Sequence, residues 1–335
     1  VKEEIAFFGR KKELDEIIQE ITRTNGRNIL LVGERRMGKT SLLYQIQNRL
    51  AQPFIPVNVV LNLKPTAQEV LDLILVKVIA VLAGINILDN TWKNHRFSSG
   101  SIFDSNFKDI ITEAQNKLPN IKIVLLLDEG DHLVSKKVDE TAQNNLRAAL
   151  QELGSNLGCV ITGTSVLSTS VVKSSSPLRN ILGSLTLNML SIEETRELIT
   201  KPASALGYSY SEESINRIIS LSGGQPYCCQ ALCYEAFDYA LLKGRRAIET
   251  EALDCAEAKV SKDLFESYFL GLWEQTNAEQ RKLLINLAQN KSISKLNISQ
   301  EKINELITWN LIKKEQDNYT FCSELIKKWI NVIIK

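Results

Sequence analysis

Gly33-Glu34-Arg35-Arg36-Met37-Gly38-Lys39-Thr40 has the spacing G-x-x-x-x-G-K-T, and the residue types it fixes are those needed to hold a chain of phosphates. Gly33 and Gly38 are expected to take positive φ and let the backbone approach closely, so that successive N–H groups form an anion cradle at a helix N-terminus. Lys39 would reach the β and γ phosphates, and the Thr40 hydroxyl would ligate Mg²⁺. Arg36, Met37 and Ser41 complete the nucleotide-binding set expected around this loop. A second pair of groups, Asp128 and Glu129, closes the apolar run that begins at Ile121. Asp128 is expected to hold Mg²⁺ through its water shell, with Glu129 polarising the attacking water as a general base. The expected ligands are therefore ATP or ADP with Mg²⁺. Lys39 and Glu129 are the catalytic candidates, and Thr40 and Asp128 the metal ligands.

These groups need elements to hold them. A short apolar run, Ile29 to Val32, leads into the glycine loop, and a helical pattern with Leu42, Leu43 and Ile46 follows, which reads as strand, phosphate loop, helix. The run Ile121 to Leu127 is so continuously apolar that it must be buried on both faces, as in the middle of a parallel sheet. Carboxylates at its C-terminal end then lie where open α/β sheets bind ligands. Further strands are expected at Phe54 to Leu63, Cys159 to Ile161 and Leu185 to Leu190. Helices are expected at Lys11 to Thr22, Thr66 to Ala83, Asn106 to Leu118 and Thr141 to Leu153. Phe8-Gly9-Arg10, just before the first helix, is placed to close over the adenine. Ile85 to Ser101 reads as an irregular insertion, and Ser165 to Ser176 as a mobile surface loop. Asp131 and His132 are taken as loop residues. The Thr162-Gly163-Thr164-Ser165 strand end either reports the γ-phosphate or is a plain turn. Arg179 is the arginine chosen to meet a neighbouring subunit's nucleotide, with an ordinary surface charge as the alternative.

Composition sets limits on the rest. At 335 residues the chain suggests two or three domains. Forty Lys plus Arg against 39 Asp plus Glu leave a net charge of +1, so no global field draws it to nucleic acid or an acidic membrane. The six cysteines lack finger-like spacing and read as core hydrophobes in a reducing cytoplasm. The N-terminus carries no secretion signal, and the absence of an initiator Met leaves room for a longer parent polypeptide. Val70 to Leu88 raises a transmembrane question, but Asp72 and Lys77 would each cost roughly 2.5 to 3.5 kcal/mol at a bilayer centre, so a buried helix and no membrane partner are expected.

From Ser191 the pattern is helical: Ile192 to Leu206 behind a Ser191/Glu194 capping box, then Ser211 to Leu221, Pro226 to Leu242 and Thr250 to Ala258. Gly223-Gly224-Gln225-Pro226 separates the middle pair, with Pro226 at a first helical turn. The last 70 or so residues spell helix (Asn277 to Gln289), helix (Ser299 to Trp309), strands Leu311 to Glu315 and Tyr319 to Phe321 around Asp317-Asn318, and helix (Ser323 to Ile334), a winged-helix order. The second of these helices carries Lys302 against Glu301 and Glu305, too little positive charge for groove reading. DNA is therefore the less favoured partner.

In this order, F-G-R, G-x-x-x-x-G-K-T-S-L-L, the apolar run into D-E-G-D, and G-G-Q-P ahead of a winged helix resemble the STAND class of signalling ATPases. G-E-R-R-M-G-K-T and S-G-G-Q-P-Y are most similar to its AAA-like prokaryotic branch, which includes the archaeal MNS-type ATPases and is related to the origin-recognition ATPases. The resemblance implies an α/β fold with a P-loop NTPase core (1–190) whose parallel sheet has the order 5-1-4-3-2, a helical lid (191–262) and a winged helix (263–335) that clamps over ADP. It implies that Gly33, Gly38, Lys39 and Thr40 hold phosphates and Mg²⁺, that Asp128 and Glu129 are the acidic pair, that Pro226 lies near the nucleotide, and that Phe8 to Arg10 contact the base. ATP would open the clamp and permit a nucleotide-dependent homo-oligomer, with a fused or associated effector as a further partner. Related switches often sense ADP with a winged-helix histidine, whereas the histidines here are His95 and His132; the G-G-Q-P turn also lacks an arginine. Both departures favour a slow cytoplasmic switch in signalling or antiviral defence over a motor. The alternatives are a DNA-associated ATPase using its winged helix, and a nucleotide scaffold that never hydrolyses.

Overall fold

The fold is that of a computed structural model, which describes residues 7–24, 26–63, 66–94, 103–135, 138, 140–172, 176–264, 268–291, 296, 298–316 and 318–334. The chain divides into two compact units. The first runs from Arg10 to Leu187, and the second begins at Asn188 and also takes in Phe7, Phe8 and Gly9. Among the described residues no helix is long and apolar enough to cross a membrane.

The first unit is built on a five-stranded sheet of P-loop NTPase type. Strands β1 (Asn28–Val32), β2 (Phe54–Val60), β3 (Lys122–Asp128), β4 (Leu157–Gly163) and β5 (Leu182–Thr186) lie in the order β2-β3-β4-β1-β5. Read from the other edge this is 5-1-4-3-2, the order expected, and every pairing is parallel. The continuous apolar runs have the cause inferred for them: β3 and β4 each have neighbours on both sides and are buried at every residue. Helices α1 (Lys11–Thr22), α2 (Lys39–Arg49), α3 (Ala67–Gly84), α4 (Phe103–Gln115), α5 (Glu140–Glu152) and α6 (Ser165–Val172) belong to the same unit. On α1 the buried residues are Leu14, Ile17 and Ile21, one stripe at helical spacing. Thr66 caps α3, its hydroxyl accepting from the Glu69 N–H.

Several boundaries depart from expectation. β4 is longer than Cys159 to Ile161 because it is held on both sides, from Leu157 beside Ile123 to Gly163 beside Val32. β5 ends at Thr186 rather than Leu190, since its partner β1 offers only Asn28 to Val32 for pairing. β2 gives way at Leu61 to a 3₁₀ turn. The stretch expected to be a mobile loop from Ser165 is helix α6, whose Leu167 and Val171, four residues apart, are buried. A Ser/Thr-rich composition concealed that apolar pair. Residues 173–175 of the same stretch lie outside the described residues, as do Asn25, His95, Ser98, Ser99, Gly100 and Asp317. The insertion after α3 holds a 3₁₀ turn at Asn90–Asn94.

The second unit contains α7 (Ile192–Ala205), β6 (Ser209–Tyr210), α8 (Glu212–Ser222), α9 (Pro226–Leu242), β7 (Ala247–Ile248) and α10 (Thr250–Leu264). These are followed by α11 (Leu270–Gln275), α12 (Ala278–Ala288), α13 (Gln300–Thr308), β8 (Ile312–Glu315), β9 (Asn318–Phe321) and α14 (Glu324–Ile333). The helix, helix, hairpin, helix succession is present, with β8 and β9 antiparallel. Not anticipated were the two-residue parallel pair β6-β7, α11, and the extension of α10 past Ala258 to Leu264. A single apolar core, including Leu198, Leu232, Phe269, Leu306 and Trp329, runs through the whole unit. The cysteines are all free, with Cys228 and Cys229 buried in that core.

Candidate nucleotide site

The C-terminal ends of β1 and β3 point the sequence-predicted residues at one another. β1 ends at Val32, the loop follows, and α2 starts at Lys39. Gly38, the residue before that helix, has φ +92°, and a Cβ built on it would meet nothing within 4 Å. Open space is thus kept in front of amides that a helix N-terminus leaves without intrahelical partners. Gly33 departs from expectation. Its φ is not positive, and it is glycine because a Cβ would press on that of Leu187 at 3.2 Å. The second left-handed position in the loop is Arg36, at φ +65°. Met37 is buried, while Arg36 is exposed.

Lys39 curls back over its own loop, donating to the Gly33 carbonyl at 2.6 Å and the Glu34 carbonyl at 3.0 Å. Burial holds its pKa below the ordinary lysine value, and the carboxylates of Asp131, Glu34, Asp128 and Glu129 act in the opposite direction. Asp128, at the end of β3, is buried and accepts three hydrogen bonds. The Thr40 hydroxyl donates to it at 2.6 Å, the Thr162 hydroxyl at 2.5 Å and the Glu129 N–H at 3.0 Å. The strand order explains the second contact: β4, which carries Thr162, lies between β1 and β3. Thr40 and Asp128 therefore present adjacent oxygen atoms at the mouth of the phosphate loop. That donor set suits a small hard cation such as Mg²⁺.

Glu129 is exposed and lies outside the strand. It has φ +58° and precedes the 3₁₀ turn Gly130–Val134. Asp131 has a structural task that the sequence did not signal. It accepts from the Thr164 N–H at 2.9 Å, the Thr164 hydroxyl at 2.9 Å and the Leu167 N–H at 3.0 Å, and so anchors the start of α6. His132 is half-buried in the 3₁₀ turn. The strand-end turn expected to be either a phosphate reporter or a plain bend is engaged at both threonines by β3-end carboxylates. Thr162, named with that strand end from the sequence, enters the site through Asp128, a contact that the sequence did not indicate. Arg179 is exposed in the turn before β5.

The remaining candidates divide between the units. Arg10 belongs to the first; it has φ +60°, is 4% exposed, and its guanidinium meets Glu13 at 3.0 Å. Phe8 packs into the core of the second unit. Gly9, φ +70°, lies against Leu190 and Glu194 of the same unit. Pro226 opens α9 behind Gln225, whose side chain accepts from the Cys228 N–H at 2.7 Å. Among the described residues no group of three or more His, Cys, Asp or Glu side chains could hold a metal ion by itself.

The comparisons agree with the fold. The chain is similar in fold to a Walker-type ATPase of Pyrococcus abyssi, with 15% identity over 97% of this chain and 96% of that one, TM-score 0.70. It is also similar to the ORC2 protein of Aeropyrum pernix, solved as ADPNP-ADP complexes, with 14% identity over 97% and 94% and a TM-score of 0.64. A third similar structure is the ORC1 protein of Aeropyrum pernix in complex with DNA, with 12% identity over 97% and 93% and a TM-score of 0.52. No curated protein matches the chain. A family model described as an ATPase domain predominantly from Archaea matches residues 7–232, more than half of the sequence and the whole of the site at β1 and β3, and the chain accordingly belongs to that ATPase family.

Proposed function

We propose that this ATPase is a slow molecular switch of the STAND/AAA type, in which the nucleotide held at β1 and β3 sets the arrangement of a helical lid (191–262) and a winged helix (263–335) relative to the core (1–190). The observation that carries the reading is the 2.6 Å contact between the Thr40 hydroxyl and the Asp128 carboxylate, which joins the phosphate loop to the acidic strand end across 88 residues of sequence. Lys39 exchanges its two loop carbonyls for β- and γ-phosphate oxygens. Thr40 and Asp128 hold Mg²⁺, which when bound neutralises charge on those oxygens. Gly33, Arg36, Met37, Gly38 and Ser41 shape and flank the cradle. Glu129 accepts a proton from the attacking water, and Thr162 fixes the orientation of Asp128. Phe8, Gly9 and Arg10 contact the base, and Pro226 contributes the lid's turn near the nucleotide.

Slow turnover is favoured by the absence of an arginine at the Gly223-Gly224-Gln225-Pro226 turn and by the lack of a histidine between His132 and Lys335. Assembly of copies in the ATP state would place Arg179 against a neighbour's phosphates. The setting we infer is the cytoplasm, in signalling or defence, with an effector fused or associated. A DNA-reading role is disfavoured because Lys302, the only cation on α13, is paired with Glu279 at 2.7 Å. A salt-dependent gel shift in the presence of ATP would reinstate it.

The deciding measurement is nucleotide binding and hydrolysis by Glu129→Gln beside the wild type. The variant should bind Mg-ATP with wild-type affinity and turn it over at least about 100-fold more slowly, within the range for a lost general base. Unchanged turnover would remove Glu129 from its role, and absence of any nucleotide binding by the wild type would remove the switch itself.

A further inference from the structure

Gly223 lies between α8 and α9, inside the helices read as the lid, yet the space beside it is filled from the winged helix. A Cβ there would stand 1.7 Å from the Cys322 carbonyl oxygen and 3.0 Å from the Cα of Ser323, just before α14. Side chains cross the same seam. The Ser323 hydroxyl donates to the Leu221 carbonyl at 2.6 Å, the Ser220 hydroxyl to the Glu324 carboxylate at 2.7 Å, and the Gln225 amide to the Tyr268 hydroxyl at 3.3 Å. Glu257 of α10 accepts from Arg217 of α8 at 2.9 Å and also from Lys328 of α14. One apolar core takes Leu198 and Leu232 from the lid side and Phe269 and Trp329 from the winged-helix side. Relative motion is the ordinary expectation between packed parts of a chain unless the surface they share is large and apolar, and here it is a common core.

The passages between the two units are of another kind. Among the described residues the chain crosses at Gly9-Arg10 and at Leu187-Asn188. Gly9 and Arg10 are consecutive left-handed residues, at φ +70° and +60°. The Leu187 N–H donates to the Val32 carbonyl at 2.7 Å within the first unit, and the Leu190 N–H to the Gly224 carbonyl at 2.9 Å within the second, with Asn188 and Met189 between. A few such residues suffice to absorb the φ and ψ changes of a hinge. We propose that the lid and the winged helix turn as one body about residues 9–10 and 187–190, so that nucleotide exchange changes their position against the core without parting the winged helix from the lid. A clamp in which the winged helix swings alone would have to break the Gly223 seam and open the shared core. The inference rests on the nucleotide reading of the site.

Electron-spin distance measurement on the full chain tests it, in a background of Cys233→Ser, Cys255→Ser and Cys322→Ser. Labels at Leu242→Cys and Val332→Cys span lid and winged helix, and labels at Val76→Cys and Val332→Cys span core and winged helix; all three positions are exposed. Between Mg-ADP and a non-hydrolysable Mg-ATP analogue the first distance should hold to within about 2 Å, while the second should shift by more than about 2 Å. Tyr234→Cys, also exposed, replaces Leu242→Cys should that chain fail to fold. A lid-to-winged-helix distance that shifts beyond this margin, or a core-to-winged-helix distance that stays within it, overturns the proposal. If calorimetry shows that the wild type binds neither nucleotide, the nucleotide reading itself has failed, an outcome distinct from an unmoved distance in a chain that binds.

Discussion

Gly38 and Gly223 both sit in the left-handed region, at φ +92° and +60°, and both adjoin a helix terminus in a glycine-bearing signature, yet they keep opposite kinds of space. In front of Gly38 a Cβ would meet nothing within 4 Å. At Gly223 it would stand 1.7 Å from the Cys322 carbonyl oxygen, and at the adjacent Gly224 2.3 Å from that of Leu190. The first glycine faces open space. The second lets two stretches of backbone touch, and the contact is reinforced by the buried Ser323 hydroxyl donating to the Leu221 carbonyl at 2.6 Å. A glycine motif thus opens onto the proposed nucleotide cradle in one unit and forms a backbone junction in the other. The two should fail differently when a methyl group is added.

The largest effect is expected at the junction. Gly223→Ala must move backbone as well as occupy a left-handed position, so it should cost roughly 3 kcal/mol or more, seen as a lowered midpoint in chemical denaturation of the second unit's transition. Gly38→Ala should cost only about 1 to 2 kcal/mol of stability, for the conformation alone, because no neighbour is displaced. Its loss should instead appear in calorimetry as Mg-ATP affinity weakened about 100-fold, roughly 2.7 kcal/mol. If Gly38→Ala were as destabilising as Gly223→Ala while binding nucleotide normally, the contrast between cradle and junction would be wrong.

What could be read from the sequence follows the same division between local and distant causes. Buried strands β3 and β4, the stripe on α1 and most of the longer helices through α14 follow from apolar periodicity, whereas the pair β6-β7, α6 and α11 do not, and the sheet order agrees with the resemblance. The phosphate loop was legible because its spacing is itself the chemistry. The role of Gly33 was not, since it depends on Leu187, more than 150 residues away in the chain. Helix α6 was hidden for a related reason: its residues Ser165 to Val172 have weak local preference, and what fixes its start is a carboxylate on another loop. That Thr162 meets Asp128, and not only the strand-end turn, depends on β4 lying between β1 and β3, which the local sequence does not show.

Asp131 and Ser191 sharpen that division. Asp131→Ala should leave the Thr164 and Leu167 amides without their acceptor and cost about 1 to 3 kcal/mol, with amide exchange rising first in α6. An effect confined to turnover, with stability and exchange unchanged, would make Asp131 a functional group and not an anchor.

The smallest effect is expected at the local cap. Ser191 accepts from the Glu194 N–H at 3.1 Å while the Glu194 side chain accepts from the Ser191 N–H at 2.9 Å, a reciprocal pair closed within three residues. Its legibility and its modest energy have one origin: everything it needs is in adjacent sequence, and water can replace much of it at an exposed helix end. Ser191→Ala should therefore cost about 1 kcal/mol, and Ser191→Asp should restore most of that by again offering an acceptor to the Glu194 amide. If Ser191→Ala instead matched Asp131→Ala in size, a local cap would be holding more than its own helix. The first turn of α7, beside Leu190 and Gly224, would then count as part of the backbone junction around Gly223.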